Sequence, residues 1–167
     1  LMNELGNVVD EATRSYPLLQ EQPSYCEQHP SDWVTGTKEA IKEIVERFTE
    51  DVTTIVGISY SGQMHGLVLL DENNDVVRPA ILWNDTRTTE QCVQIIECVG
   101  EERLLQITKN NALEGFTLPK LLWVKQHEPA IFKEAKTFLL PKDYLRYVMA
   151  GVLCMDYSDA AGTLLLD

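Results

Sequence analysis

Between residues 53 and 88 the apolar positions fall into short runs rather than a helical repeat. Ile55-Val56-Gly57-Ile58 ends abruptly in a small, polar cluster, Ser59-Tyr60-Ser61-Gly62-Gln63-Met64-His65-Gly66. A second apolar run, Leu67 to Leu70, turns at Asp71–Asp75 and returns as Val76 to Trp83. A run that is apolar on both faces and only about four to eight residues long suits a strand covered on both sides. The pattern therefore predicts a central strand at 55–58, followed by a hairpin.

Elsewhere the spacing is helical. Pro30, suited to a first helical position, opens a helix from Ser31 to Thr49 whose apolar face is Trp33, Ile41, Ile44, Val45 and Phe48. Thr86–Val99 carries Cys92, Val93, Ile95, Ile96 and Val99 on one stripe and stops at Gly100; a shorter helix spans Glu101–Ile107. Thr117 is placed to cap a helix through Lys125, with Leu118, Leu121, Leu122 and Trp123 inward and Pro119 harmless in the first turn. Pro129 opens another short helix, with Ile131, Phe132 and Ala135 on one side. Phe138–Leu140 reads as a strand broken by Pro141, Asp143–Met149 as a helix ended by Gly151, Val152–Met155 as a strand, and Ser158–Gly162 as a turn. Leu1–Val9 reads as a hairpin turning at Gly6-Asn7, and Ser15–Pro30, with Pro17, Pro23 and Pro30, as a loop. Strands alternating with helices give an α/β layered domain, and 167 residues favour one domain.

Composition narrows the partners. A net charge of −12 argues against nucleic acid and anionic lipid, both of which need basic surface. It fits a neutral small substrate, or an anion held by a few local donors. Cys26, Cys92, Cys98 and Cys154 form no CxxC pair and have no flanking histidine, so a zinc site is not expected. Scattered thiols suit a reducing cytosol, hence a cytoplasmic location. No apolar stretch approaches the ~18 residues of a membrane span, and no secretory leader is legible.

Ligands of open α/β sheets gather beyond the carboxyl ends of the strands, which places a small-ligand site at the polar cluster after Ile58. Gly62 and Gly66 bracket Gln63, Met64 and His65 and let the backbone approach a ligand closely. Taken singly, His65 reads as a satisfied turn histidine and Met64 as a core filler; the glycine bracket at a strand end is what favours a site. Trp83-Asn84-Asp85-Thr86-Arg87 either lines the same cleft or pairs Asp85 with Arg87 at a helix start, where a carboxylate suits the dipole. Trp33 falls on a buried stripe and reads as core, and His29 as a capping residue. Lys120, with no Gly-rich loop beside it, reads as a solvated helix lysine. Asp156 and Asp159 lie in a turn with no assignable role. No GxxxxGK[ST] phosphate loop is present.

SGQMHG with its hairpin to RPAILWNDTR, then GFTLPKLLWV at 115–124, LLPKDYLR at 139–146 and SDAAGTLLLD at 158–167, closely resembles the amino-terminal half of xylulose kinases, members of the FGGY carbohydrate kinase family. The likeness covers almost the whole chain in order. It implies a ribonuclease H-like, actin-type fold with a mixed sheet flanked by helices, residues 1–167 being the sugar-binding domain. It also implies incompleteness at both ends: the family's first strand with its Asp-x-Gly-Thr phosphate loop precedes the segment that begins at Leu1, and its general base and ATP-binding domain lie beyond Asp167. The implied activity is transfer of phosphate from ATP, with Mg2+, to D-xylulose. A gluconate kinase and a non-catalytic sugar-binding module are the alternatives, and a homodimer stays open as a partner.

A polyol needs donors and acceptors but no charge, which Gln63 and His65 supply, while Met64 offers a polarizable wall to its carbon face. The resemblance gives sugar contact to Met64 and His65 and puts the Trp83–Arg87 motif, hence Trp83 and Asp85, at the border of the site. It assigns no catalytic base and no metal ligand to this chain. Gly115 stands where glycerol kinases place a substrate-contacting aromatic residue, which implies a bulkier sugar.

Overall fold

The computed structural model describes residues 1–166. In chain order its elements are β1 (Glu27–Gln28), α1 (Pro30–Arg47), β2 (Val68–Leu70), β3 (Ala80–Ile81), α2 (Thr89–Val99), α3 (Glu101–Thr108), α4 (Thr117–His127), α5 (Pro129–Glu134), β4 (Thr137–Leu139), α6 (Pro141–Ala150) and α7 (Tyr157–Ala161). β1 pairs with β3 and β2 with β4, and a bridge between Leu67 and Ile81 joins the two pairs.

The arm Leu67–Leu70 is the centre of the molecule because its side chains alternate between two helical layers. Val68 and Leu70 meet Trp33 of α1 together with Cys26, Ala80, Leu82 and Leu139. Leu67 and Leu69 meet Ile81 and, from α4, Trp123 and Val124. A third cluster, Cys92, Ile95, Leu104, Ala112 and Leu164, holds α2 and α3 to the chain's last described turn. The α/β layering expected from the sequence is present. Every pairing among the described residues is antiparallel, so the expected mixed sheet is not seen there.

The helices start and stop near their signals. Pro30 sits in the first turn of α1, Gly100 ends α2, and Gly151 closes α6 with a left-handed φ of 72°. Pro141, read as a strand breaker, is also the first residue of α6, where its missing N–H costs nothing. The first hairpin survives as a bridge between Met2 and Val8, with Gly6 at φ 80°. Within the expected 15–30 loop, Leu19 and Glu27 exchange backbone hydrogen bonds of 2.9 and 3.0 Å, adding an edge beside β1.

Four expectations are corrected. Ile55–Ile58 is not a strand: a 3-10 turn at Val52–Thr54 leads into an extended segment, with Val56 99% exposed. A strand is held by a neighbouring backbone, and among the described residues none pairs with this segment. Val152–Met155 likewise forms no strand. The α1 stripe is buried only at Pro30 and Trp33, with Ile41 and Val45 exposed, because α6 covers a single end of that helix. The turn at 158–162 is instead α7, nucleated by Asp156, whose carboxylate accepts from Asp159 N–H at 2.9 Å. Asp167, last residue of the apolar run that closes the sequence, lies outside the described residues.

The contrast between the two apolar runs is testable in urea. Leu70→Ala, at a fully buried site, is expected to cost about 2–5 kcal/mol. Val56→Ala is expected to change stability by no more than about 0.5 kcal/mol.

Candidate functional site

The polar cluster ends in a corner built on His65. Gly66 N–H donates to the Met64 carbonyl at 2.8 Å and His65 has φ 62°, which together make the strained form of a γ-turn. Such a backbone costs about 1–3 kcal/mol and persists only where its surroundings over-determine it. Here three contacts from two segments do so. The Thr117 hydroxyl, at the start of α4, donates to the His65 carbonyl at 3.2 Å. The imidazole packs edge-on against Phe116, 4.8 Å between centroids. Its Nδ1 lies 2.9 Å from the carbonyl oxygen of Gly162, at the end of α7. Gly66 is required for a different reason: a Cβ there would stand 2.7 Å from Pro141 Cγ.

Leu67 and Ile81 are bridge partners; beyond that bridge the chain leaves the ladder on both sides, His65 in the γ-turn and Trp83 in the turn that Asp85 N–H closes on the Leu82 carbonyl at 3.2 Å. The Trp83 carbonyl also abuts Gly115, 3.3 Å from where a Cβ would be, beside the loop that supplies Phe116. Met64 and Trp83 are 43% and 55% exposed and His65 partly so, which leaves the corner open to a solute. Gln63 turns the other way. Its amide donates to Gln28 Oε1 at 3.1 Å, an acceptor shared with Trp33 Nε1, and it lines a cleft of about 330 Å³ beside α1.

Asp85, expected at the border of the site, is instead enclosed by the fold. It is fully buried, and both carboxylate oxygens are engaged. Oδ2 accepts from Cys26 N–H at 2.6 Å and Arg87 Nη2 at 2.7 Å; Oδ1 accepts from Arg87 Nε at 2.9 Å and Arg87 N–H at 3.1 Å. The alternative reading of the motif, an Asp85–Arg87 pair, is the one realised. The Arg87 guanidinium also reaches Glu27 at 2.7 Å and stacks over Tyr25, 3.5 Å from its centroid. Burial works against its charge, but Asp85 and Glu27 outweigh that and its pKa is raised. Arg78 adds a second buried cation on Glu27. These residues fix the base of the Trp83 loop.

Lys120 is the second correction. It is fully buried, not solvated, and its Nζ donates to the carbonyls of Glu114, Gly115 and Phe116. Three carbonyls match the three donors of an ammonium, so the side chain ties down the loop carrying Phe116. Burial pushes its pKa down to about 7, against the pull of Asp85. Thr117, Lys120 and Val124, at spacings of three and seven, share one buried stripe of α4. Lys142 does comparable work on the other side, bonding Asp156 and, at 2.6 Å, Asp159. That gives the two aspartates their role: they anchor and cap α7. Gly162 and Phe116 were not singled out as site residues, since a glycine carbonyl and a lone aromatic carry no spacing signal.

The chain matches the family described as "FGGY family of carbohydrate kinases, N-terminal domain" over residues 1–167. It is 59% identical over 166 residues to the xylulose kinase of Bacillus subtilis (strain 168), covering 99% of this chain and 33% of that protein. Identity to the xylulose kinase of Staphylococcus epidermidis is 48% over 166 residues, with the same two shares covered. The crystal structure described as a xyloylose kinase from Brucella ovis superposes with a TM-score of 0.92 at 39% identity, covering 99% of this chain and 34% of that one. The chain thus spans about a third of the length of the curated relatives it matches.

Two measurements check the supports of the corner. Asp85→Ala leaves Arg87 buried without its main partner and is expected to lower stability by about 3–5 kcal/mol in urea unfolding. Between pH 7 and 10.5 the unfolded chain holds a proton that folded Lys120 releases, so this residue makes stability rise with pH across that window. Lys120→Met is expected to flatten that part of the stability–pH curve, and an unchanged slope would refute the assignment.

Proposed function

The chain belongs to the FGGY family of carbohydrate kinases, as an amino-terminal domain of that family, and from that premise we propose that it holds the sugar in an ATP-dependent kinase converting D-xylulose into D-xylulose 5-phosphate. The observation that carries this reading is the partly exposed Met64–His65 corner, a strained turn held by two segments of chain, the start of α4 and the end of α7. A strained backbone kept in place by its surroundings is a mark of a binding site. In this proposal His65 hydrogen-bonds a sugar hydroxyl, Met64 and Trp83 pack on the carbon face, and Gln63 borders the site from the α1 side. Asp85 acts indirectly, by locking Arg87 and the Trp83 loop. The similarity to proteins named xylulose kinase favours D-xylulose over D-gluconate.

Phosphoryl transfer needs the acceptor hydroxyl in line with the γ-phosphate and a group to take its proton. This chain contributes the first requirement, positioning of the acceptor. It contains no Gly-rich phosphate loop, and among the described residues no group of three or more His, Cys, Asp or Glu side chains is arranged to hold a metal ion. In this proposal other parts of the kinase hold ATP and Mg2+ within a ribonuclease H-like, actin-type architecture. No helix among the described residues is long and apolar enough to cross a membrane; four free cysteines accord with a cytoplasmic setting, and a homodimer is compatible with the reading.

Calorimetric titration of the complete kinase with D-xylulose, D-gluconate and glycerol tests the proposal. D-xylulose is expected to bind most tightly, and His65→Ala to weaken it by roughly tenfold or more. Preference for gluconate, or no loss in His65→Ala, would overturn it. The 167-residue chain alone is expected to show no ATP-dependent turnover of D-xylulose in a coupled assay.

A further inference from the structure

Gly162 occupies a position that only a glycine can hold without disturbing the site. A Cβ there would stand 2.5 Å from His65 Cε1 and 2.7 Å from Nδ1, closer than van der Waals contact allows. Its backbone, at φ −77° and ψ 1°, would accept any residue, so the requirement for glycine comes from the imidazole alone. The Gly162 carbonyl faces the same ring at 2.9 Å. A carbonyl can only accept, so in the neutral ring Nδ1 must carry the hydrogen and Nε2 must be the bare acceptor. Nε2 has no hydrogen-bond partner among the described residues.

We propose that Gly162 is a positioning residue, its carbonyl fixing His65 as the Nδ1–H tautomer so that Nε2 accepts a hydrogen bond from a hydroxyl of the bound sugar. This rests on the reading of the corner as the sugar site and adds the direction of the hydrogen bond. The carbonyl is itself held in place. Asp156 caps α7 at its first turn, Lys142 of α6 bonds both Asp156 and Asp159, and α7 delivers Gly162 at its end. Leu118 N–H donates to the Thr163 carbonyl at 3.0 Å, tying the same turn to the start of α4, beside Phe116 and Thr117. The ring is therefore clamped between α7 and α4. The specificity that follows is for a ligand that donates at this point; a sugar whose matching group cannot donate would leave Nε2 unpaired.

Two experiments test it, one independent of sugar. Nitrogen-15 spectra of the imidazoles in the complete kinase, with His65 assigned by the signal lost in His65→Ala, are expected to give His65 the shifts of an Nδ1–H, Nε2-bare ring. An Nε2–H ring would overturn the proposal whether or not the protein binds D-xylulose. In the complete kinase, Gly162→Ala is expected to weaken D-xylulose binding by roughly tenfold. In a His65→Ala background the same change is expected to shift affinity less than about twofold, because the ring it displaces is gone. Undiminished binding by Gly162→Ala, or equal losses in both backgrounds, would overturn the positioning role. Failure of the wild-type kinase to bind D-xylulose would instead fault the sugar assignment and leave the tautomer result standing.

Discussion

The buried pair of Asp85 and Arg87 is the interaction on which the arrangement of the site depends. One carboxylate takes the Cys26 N–H at the entrance to β1 and both faces of the Arg87 fork. Arg87 in turn reaches Glu27 and lies over Tyr25 and Trp123. Removing two charges from water is costly, and only near-complete pairing with good geometry offsets it. That condition is met only when β1, the end of the returning strand and α4 are all in register. The pair therefore selects one arrangement of the elements that flank the corner, whatever its net contribution to stability.

The corner inherits that rigidity. The loop before α4 is pinned by Lys120. Phe116 and Thr117 then meet the γ-turn, and α7 closes it from the far side through Gly162. An anionic chain thus presents a partly exposed thioether and imidazole at this corner. Such a surface suits a polyol, whose recognition needs directed hydrogen bonds and apolar contact rather than charge.

Much of this was legible in the sequence because local chemistry determined it. Pro30, Gly100, Pro129 and Gly151 marked helix ends through constraints carried by single residues. The apolar run Leu67–Leu70 and its return after Asp71–Asp75 indicated the hairpin that bridges Leu67 to Ile81 and Leu70 to Val76. The resemblance carried by SGQMHG and the later motifs agrees with the family match over residues 1–167.

What sequence could not decide were the matters that depend on a partner distant in the chain. Ile55–Ile58 and Leu67–Leu70 carry the same apolar pattern, yet only the second has neighbouring strands to bond, so only the second is buried. Lys120 and Asp85 are charged residues that propensity places in water; enclosure by three carbonyls and by a guanidinium holds them inside. The tautomer of His65 is further still from sequence, since it is set by a carbonyl 97 residues away. Composition and spacing determined the class of fold, and the motifs the family. Tertiary contact alone decided which strand was covered, which charges were buried and which way the imidazole points, because each of these is a property of pairs and not of residues.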